Sequence, residues 1–146
     1  MPVLALALML GATLLRAQPE CDFSFPGAAP ETSAWLEIHD SAGFIGTRFR
    51  LAAYADGTWL FQGGDASTVV SGRLSKADRQ AWQQFLRERK IFELTSAASR
   101  SKDAAAMCIR ASFDGRKVLA RIAGDHPLAV LLRERCEKLA RTGHRQ

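Results

Sequence analysis

Thr47–Gln62 reads TRFRLAAYADGTWLFQ. Phe49, Leu51 and Ala53 fall on one side of an extended chain and Arg48, Arg50 and Tyr54 on the other. This period of two marks a half-buried strand. Ala55-Asp56-Gly57 then interrupts the alternation. Asp-Gly accepts the positive φ that a tight hairpin turn demands, so Thr58–Gln62 is expected to return antiparallel.

The same reading extends in both directions. Upstream, Trp35–His39 is a short strand candidate. Downstream, Gly63-Gly64-Asp65 is the next turn and Ser67–Arg73 a further strand led by Val69 and Val70. The period then changes. Ser75 is a candidate N-cap with Asp78 three residues on, and Ala77, Ala81, Trp82, Phe85 and Leu86 form an apolar stripe at helical spacing. That helix is expected to end near Lys90, with Ile91, Phe92 and Leu94 as an apolar plug at the core edge. Residues 96–105 read as a loop of small and charged residues. Met107, Ile109, Ala111 and Phe113 then alternate with Cys108, Arg110 and Ser112, Asp114-Gly115 turns the chain, and Lys117–Ala123 returns.

Asp125 or His126 is expected to cap a last helix, with Pro127 in its first turn. Its buried face is Leu128, Leu131, Leu132, Cys136 and Leu139, and Gly143 ends it. Arg135 lies near the middle of this stripe. Its guanidinium is expected to reach solvent along its apolar stem, the alternative being a buried ion pair or a partner contact. Four strands, a helix, two strands and a helix imply an α+β domain. The expected sheet is an antiparallel meander of about five to six strands with two helices packed on one face.

Residues 34–142 hold all of these elements. The chain begins with an apolar run, Val3–Leu15, followed by small and polar residues, which reads as a signal peptide over residues 1–17. Residues 18–33 carry Pro19, Pro26, Gly27 and Pro30 and read as a linker, from which Phe23 and Phe25 are able to pack onto the domain. Residues 143–146 read as a tail. The expected location is therefore periplasmic or secreted. No apolar run reaches the ~18 residues that suggest a membrane span. Removing residues 1–17 lowers the formal charge from +5 to +4. The densest basic cluster, Arg87, Arg89 and Lys90, lacks aromatic interleaving and suits a helix C-terminus. Nucleic acid is not an expected partner.

The three cysteines, Cys21, Cys108 and Cys136, match no zinc spacing. Export implies that two are bridged and one is left over. Strict alternation puts Cys108 on the polar side of its strand, and Cys136 lies on the apolar side of the last helix. Spacing does not decide the pairing. Cys108–Cys136 is the expected bridge, since both lie in regular elements and Cys21 lies in the linker.

Catalytic chemistry has little support. His39 and Asp40 are adjacent on a strand and so point to opposite faces. His126 stands at a helix N-terminus and His144 in the tail. No serine sits in a G-x-S-x-G elbow and no glycine-rich loop opens a helix for phosphate. Glu134 and Glu137 look solvated. The expectation is a non-enzymatic chain with no metal and no cofactor.

What remains is Asp40–Phe49, DSAGFIGTRF, where the large apolar pair Phe44-Ile45 sits between Gly43 and Gly46. The pair either turns inward as a core lid, which solubility favours, or is held out on a rigid sheet as a binding tip. The stretch Ser41-Ala42-Gly43-Phe44-Ile45-Gly46, entered from a strand and followed by Thr47-Arg48-Phe49-Arg50-Leu51, resembles the opening of the emfourin-like family of small bacterial proteins. The later helix with its aromatic plug, the second hairpin and the leucine-rich closing helix are also similar, so the likeness covers residues 35–140. Ala42 stands where the family has a glycine. The resemblance implies an inhibitor of thermolysin-like metalloproteases, with Gly43, Phe44, Ile45 and Gly46 in the recognition region and a secreted or periplasmic protease as partner. Arg48, just beyond the loop, joins them as a candidate contact. The alternative is a non-catalytic envelope or structural interaction module.

Overall fold

The computed structural model describes residues 21–25, 33–64, 68–96 and 104–145. The expected signal peptide, most of the linker and most of the 96–105 loop lie outside these residues. The described chain is an α+β fold with a seven-stranded, wholly antiparallel sheet and two helices. The strands are β1 (Ala34–Ser41), β2 (Thr47–Tyr54), β3 (Thr58–Gly63), β4 (Val69–Arg73), β5 (Ala106–Phe113), β6 (Arg116–Ala123) and β7 (His144–Arg145). The helices are α1 (Lys76–Glu88), between β4 and β5, and α2 (Pro127–Ala140), between β6 and β7. The spatial order is β6-β5-β1-β2-β3-β4-β7. The first four strands form the expected meander, and the second hairpin joins it through β5, which pairs with β1.

Local chemistry sets the element ends. Ser75 accepts a hydrogen bond from the Asp78 N–H while the Asp78 carboxylate accepts from the Ser75 N–H, a complete capping box. Past α1, Lys90 adopts a left-handed conformation and turns the chain into a 3-10 turn at Ile91–Glu93, with Ile91 fully buried as the plug. His126 caps α2 through Nδ1, which accepts from the Leu128 N–H at 3.0 Å, and Pro127 occupies the first helical position.

Both helices pack on one face of the sheet. Leu36 and Ile38 of β1, Phe49, Leu51 and Ala53 of β2, Trp59 of β3, and Met107, Ile109 and Ala111 of β5 meet Trp82 and Leu86 of α1 and Leu128, Leu132 and Cys136 of α2. A register shift between Ala34 and Leu36 lets the consecutive residues Trp35 and Leu36 join this one core. The residues that alternate with them face the other way, where a smaller cluster gathers Ala52, Tyr54 and Leu60.

That second face corrects two expectations. The disulfide joins Cys21 to Cys108, and Cys136 is a buried free thiol. Cys108 and Cys136 cannot meet because they lie on opposite faces: period-two alternation turns Cys108 away from the helices, whereas Cys136 lies inside the helix-side core. Residues 21–25, expected in the linker, lie against the face opposite the two described helices as a strap. Asp22 accepts from the Arg50 guanidinium at 2.7 Å, Phe23 lies 4.6 Å beneath the Arg110 guanidinium, and Phe25 packs on the Ala52–Tyr54–Leu60 cluster. Two hydrogen bonds from Ser24, with Arg50 assisting, hold the Asp22 carboxyl down to about 2 from its ordinary 3.8. A depressed carboxylate stabilises the fold above its unfolded pKa, so this contribution is present above about pH 4 and is lost as pH falls toward 2.

Two further differences concern α2 and its exit. Arg135 neither forms a buried ion pair nor simply leaves the stripe. Its guanidinium covers Phe85 at 4.3 Å and Trp82 at 5.2 Å, tying α2 to α1. Residues 144–145 are not a free tail but a two-residue strand on the outer side of β4.

Alkylation of the native, non-reduced protein should leave all three cysteines unmodified. Unfolding without reductant should expose Cys136 alone, with peptide mapping placing the bridge between Cys21 and Cys108. Closing a loop of sequence separation 87 gives the bridge a stabilising effect of about 2–4 kcal/mol. A Cys21→Ser variant should therefore show a lower urea midpoint by a corresponding amount.

Candidate functional site

The β1–β2 connection carries the most exposed large apolar side chains among the described residues. Phe44 is 82% and Ile45 79% exposed. Both lie in a 3-10 turn, Gly43–Ile45, whose ends are closed by hydrogen bonds: Ala42 N–H to Gly46 O at 2.8 Å and Gly46 N–H to Gly43 O at 2.9 Å. Ser41 Oγ also accepts from the Gly43 N–H at 3.2 Å. The inward lid that solubility favoured is thus corrected: the pair points out. The physical reason lies in the bonds that close the turn and in the two glycines. Gly43 has φ +78° and Gly46 +103° with ψ −163°, and the latter backbone is open essentially to glycine alone.

The base of the turn is fixed from both faces. On the helix side, Asp40 is fully buried and its carboxylate is bound by Arg133 of α2, Nε to Oδ2 at 2.7 Å and Nη2 to Oδ1 at 3.2 Å. The same guanidinium donates to the Gly124 carbonyl at 3.1 Å, so one side chain joins β1, the β6–α2 turn and α2. The carboxylate raises the Arg133 pKa further, chiefly through this hydrogen bond. Removing Arg133 would leave a buried unpaired charge, a change that costs about 3–5 kcal/mol. On the opposite face, His39 Nε2 and Thr47 Oγ1 share a hydrogen bond of 2.8 Å across the mouth of the hairpin. Burial lowers the His39 pKa below the ordinary imidazole value, with the nearby Arg50 charge acting in the same direction, so the neutral ring prevails at pH 7. The β3–β4 turn lies close by, with the Gly64 N–H donating to Arg48 O at 2.7 Å. A Cβ on Gly64 would fall 1.7 Å from the Thr47 carbonyl oxygen, so only glycine admits that approach.

The structure therefore brings Gly43, Phe44, Ile45 and Gly46 together as one projecting tip, with Arg48 exposed at the start of β2. It does not bring the histidines together. His39 faces away from Asp40, His126 serves as a helix cap, and His144 lies in β7. No group of three or more His, Cys, Asp or Glu side chains with metal-holding geometry occurs among the described residues. Burial pushes the Cys136 thiol well above its usual value, which disfavours the thiolate that a nucleophile or metal ligand needs.

Sequence reasoning missed the frame of the tip. Arg133 adjoins the apolar stripe of α2 and its partner is 93 residues away, so no local pattern links the two. The signal for Asp40 was available: alternation from Leu36 and Ile38 puts a carboxylate in line with the helix-side core, a position that demands a cation. Comparison with protein-family models, with curated proteins and with solved structures returns no match.

A Phe44→Ala, Ile45→Ala double variant should change stability by less than about 0.5 kcal/mol, since both side chains stand in solvent. Gly46→Ala should cost about 1–3 kcal/mol through backbone strain alone, because nothing lies within 4 Å of its Cβ position. Urea unfolding of the two variants beside the parent checks both.

Proposed function

We propose that the chain is an exported protein-binding domain that docks a partner through the Phe44–Ile45 tip, and that the partner is a secreted or periplasmic metalloprotease of the thermolysin-like class. The observation that carries this reading is the exposure of an aromatic–aliphatic pair on a turn whose backbone is closed by hydrogen bonds and anchored at its base. A soluble surface gains nothing from holding such a pair out, and a tip already ordered avoids part of the ordering cost of binding. The choice of a metalloprotease rests on the likeness of residues 35–140 to the emfourin-like proteins.

One feature fits an exported chain: the Cys21–Cys108 bridge belongs to an oxidising compartment. No helix among the described residues is long and apolar enough to cross a membrane. We assign the chain no catalytic role, because His39, Asp40 and Cys136 are each committed to structure and do not converge.

Magnitudes limit what the tip does alone. Burying one phenylalanine and one isoleucine contributes about 1.5–3 kcal/mol each, whereas a micromolar complex needs about 8 kcal/mol. Contacts from residues flanking the tip must supply the rest, and Arg48 is placed to give one through its exposed guanidinium.

Inhibition of a thermolysin-like metalloprotease by residues 18–146 tests the proposal. The parent should inhibit, and the Phe44→Ala, Ile45→Ala variant should be weaker by about 100-fold, the factor for roughly 3 kcal/mol. Equal inhibition by the two would remove the tip from the mechanism. Inhibition by neither would leave a non-catalytic envelope or structural interaction module as the better reading.

A further inference from the structure

The two edges of the sheet differ. β7 covers part of the outer side of β4 at Val70 and Ser71, whereas no described strand lies outside β6. The register identifies which β6 groups face outward. Arg121 donates its backbone N–H to Ser96 Oγ at 3.1 Å, away from β5. Cys108–Arg121 is therefore a non-hydrogen-bonded pair of the β5–β6 ladder, and alternation puts Arg110–Leu119 and Ser112–Lys117 in the same class. The N–H and C=O groups of Leu119 and Lys117 consequently point away from the sheet, and no described residue pairs with them.

The side chains near this edge are of two kinds. β6 reads RKVLARIA, with Arg116, Lys117 and Arg121 and no acidic residue. The Arg110 cation beside it is already bound by Glu37. Lys117, Val118 and Leu119 also line, with Ser33, Arg110 and Ala111, a shallow recess of about 480 Å³. An open edge normally invites a second copy of itself, but here two β6 strands would set like charges against each other, which both destabilises the pairing and guards against aggregation. An acidic extended segment meets the same row of cations favourably.

We propose that the β6 edge takes up an extended, acidic segment of a partner protein by strand addition. Main-chain hydrogen bonds to Lys117 and Leu119 provide affinity, the recess accepts one apolar side chain, and carboxylates facing Lys117 and Arg121 set the direction and charge preference. This surface is separate from the Phe44–Ile45 tip, and its test does not depend on protease inhibition.

The test is selection of a random octapeptide display library on the oxidised protein, at low and at high salt. The expected result is enrichment of peptides with several Asp or Glu residues and one large apolar residue, with binding that weakens at high salt. A selected peptide should slow amide exchange at Leu119. It should bind at least 10-fold more weakly to Leu119→Pro, which removes the outward donor at a position where an edge strand tolerates proline. A double variant of the exposed Lys117→Glu and the half-buried Arg121→Glu, which leaves the backbone donors intact, should select basic peptides instead. Enrichment without acidic bias, unchanged selection by the charge-reversed variant, or a β6-mediated dimer of the free protein would each overturn the proposal.

Discussion

Asp40 is a carboxylate with no exposure to water, and Arg133 is the cation that makes this tolerable. A buried charge of this kind fixes geometry because each alternative arrangement leaves it unpaired. Here it fixes three elements at once. β1 carries the acid, α2 carries the base, and the guanidinium also reaches the carbonyl of Gly124 in the turn between β6 and α2. The β1–β2 hairpin emerges directly beyond this junction. Its tip therefore stands on a base that is held to the helix layer by charge and to the adjacent strand by the His39–Thr47 hydrogen bond.

The sheet divides the remaining interactions into two sets. On the helix side, burial of Trp, Phe, Leu and Ile side chains supplies the main driving force, and guanidiniums laid over the outer aromatic rings finish the surface. Arg135 over Phe85 and Trp82 and Arg87 over Phe113 are examples. On the other side no helix among the described residues covers the strands. There the strap of residues 21–25 does part of a helix's work, using a covalent bridge, an ion pair, a ring–guanidinium contact and one half-buried phenylalanine. A small sheet with its described helices on one face gains stability and keeps apolar area from solvent on the other by this means.

Much of the architecture was legible because it is local. Alternation in Phe49–Ala53, the Asp-Gly turns, the Ser75–Asp78 box and the His126-Pro127 start of α2 each act over a few residues. The strap was harder to see, since its residues carry no periodicity and its partners lie 28 and 87 residues away. Yet the decisive fact about the disulfide was present. Alternation put Cys108 on the face opposite the helices, and the preference for joining two regular elements set that aside. β7 escaped because two residues give no pattern. At the tip, the sequence named Gly43-Phe44-Ile45-Gly46, but the direction of the pair follows from bonds closed in space. Asp40–Arg133 was likewise invisible as a pair, although a carboxylate on the core-facing register of β1 was a clue that a cation must come from elsewhere.

The central claim is that the Phe44–Ile45 tip is ordered before any partner arrives. Backbone 15N relaxation of the free, oxidised protein tests it most directly. The account predicts order parameters at the Phe44, Ile45 and Gly46 amides close to the rigid-backbone value of about 0.85, falling in an Arg133→Met variant that stays folded. Values below about 0.6 at these amides in the parent would contradict it, for the pair would then sit on a flexible loop.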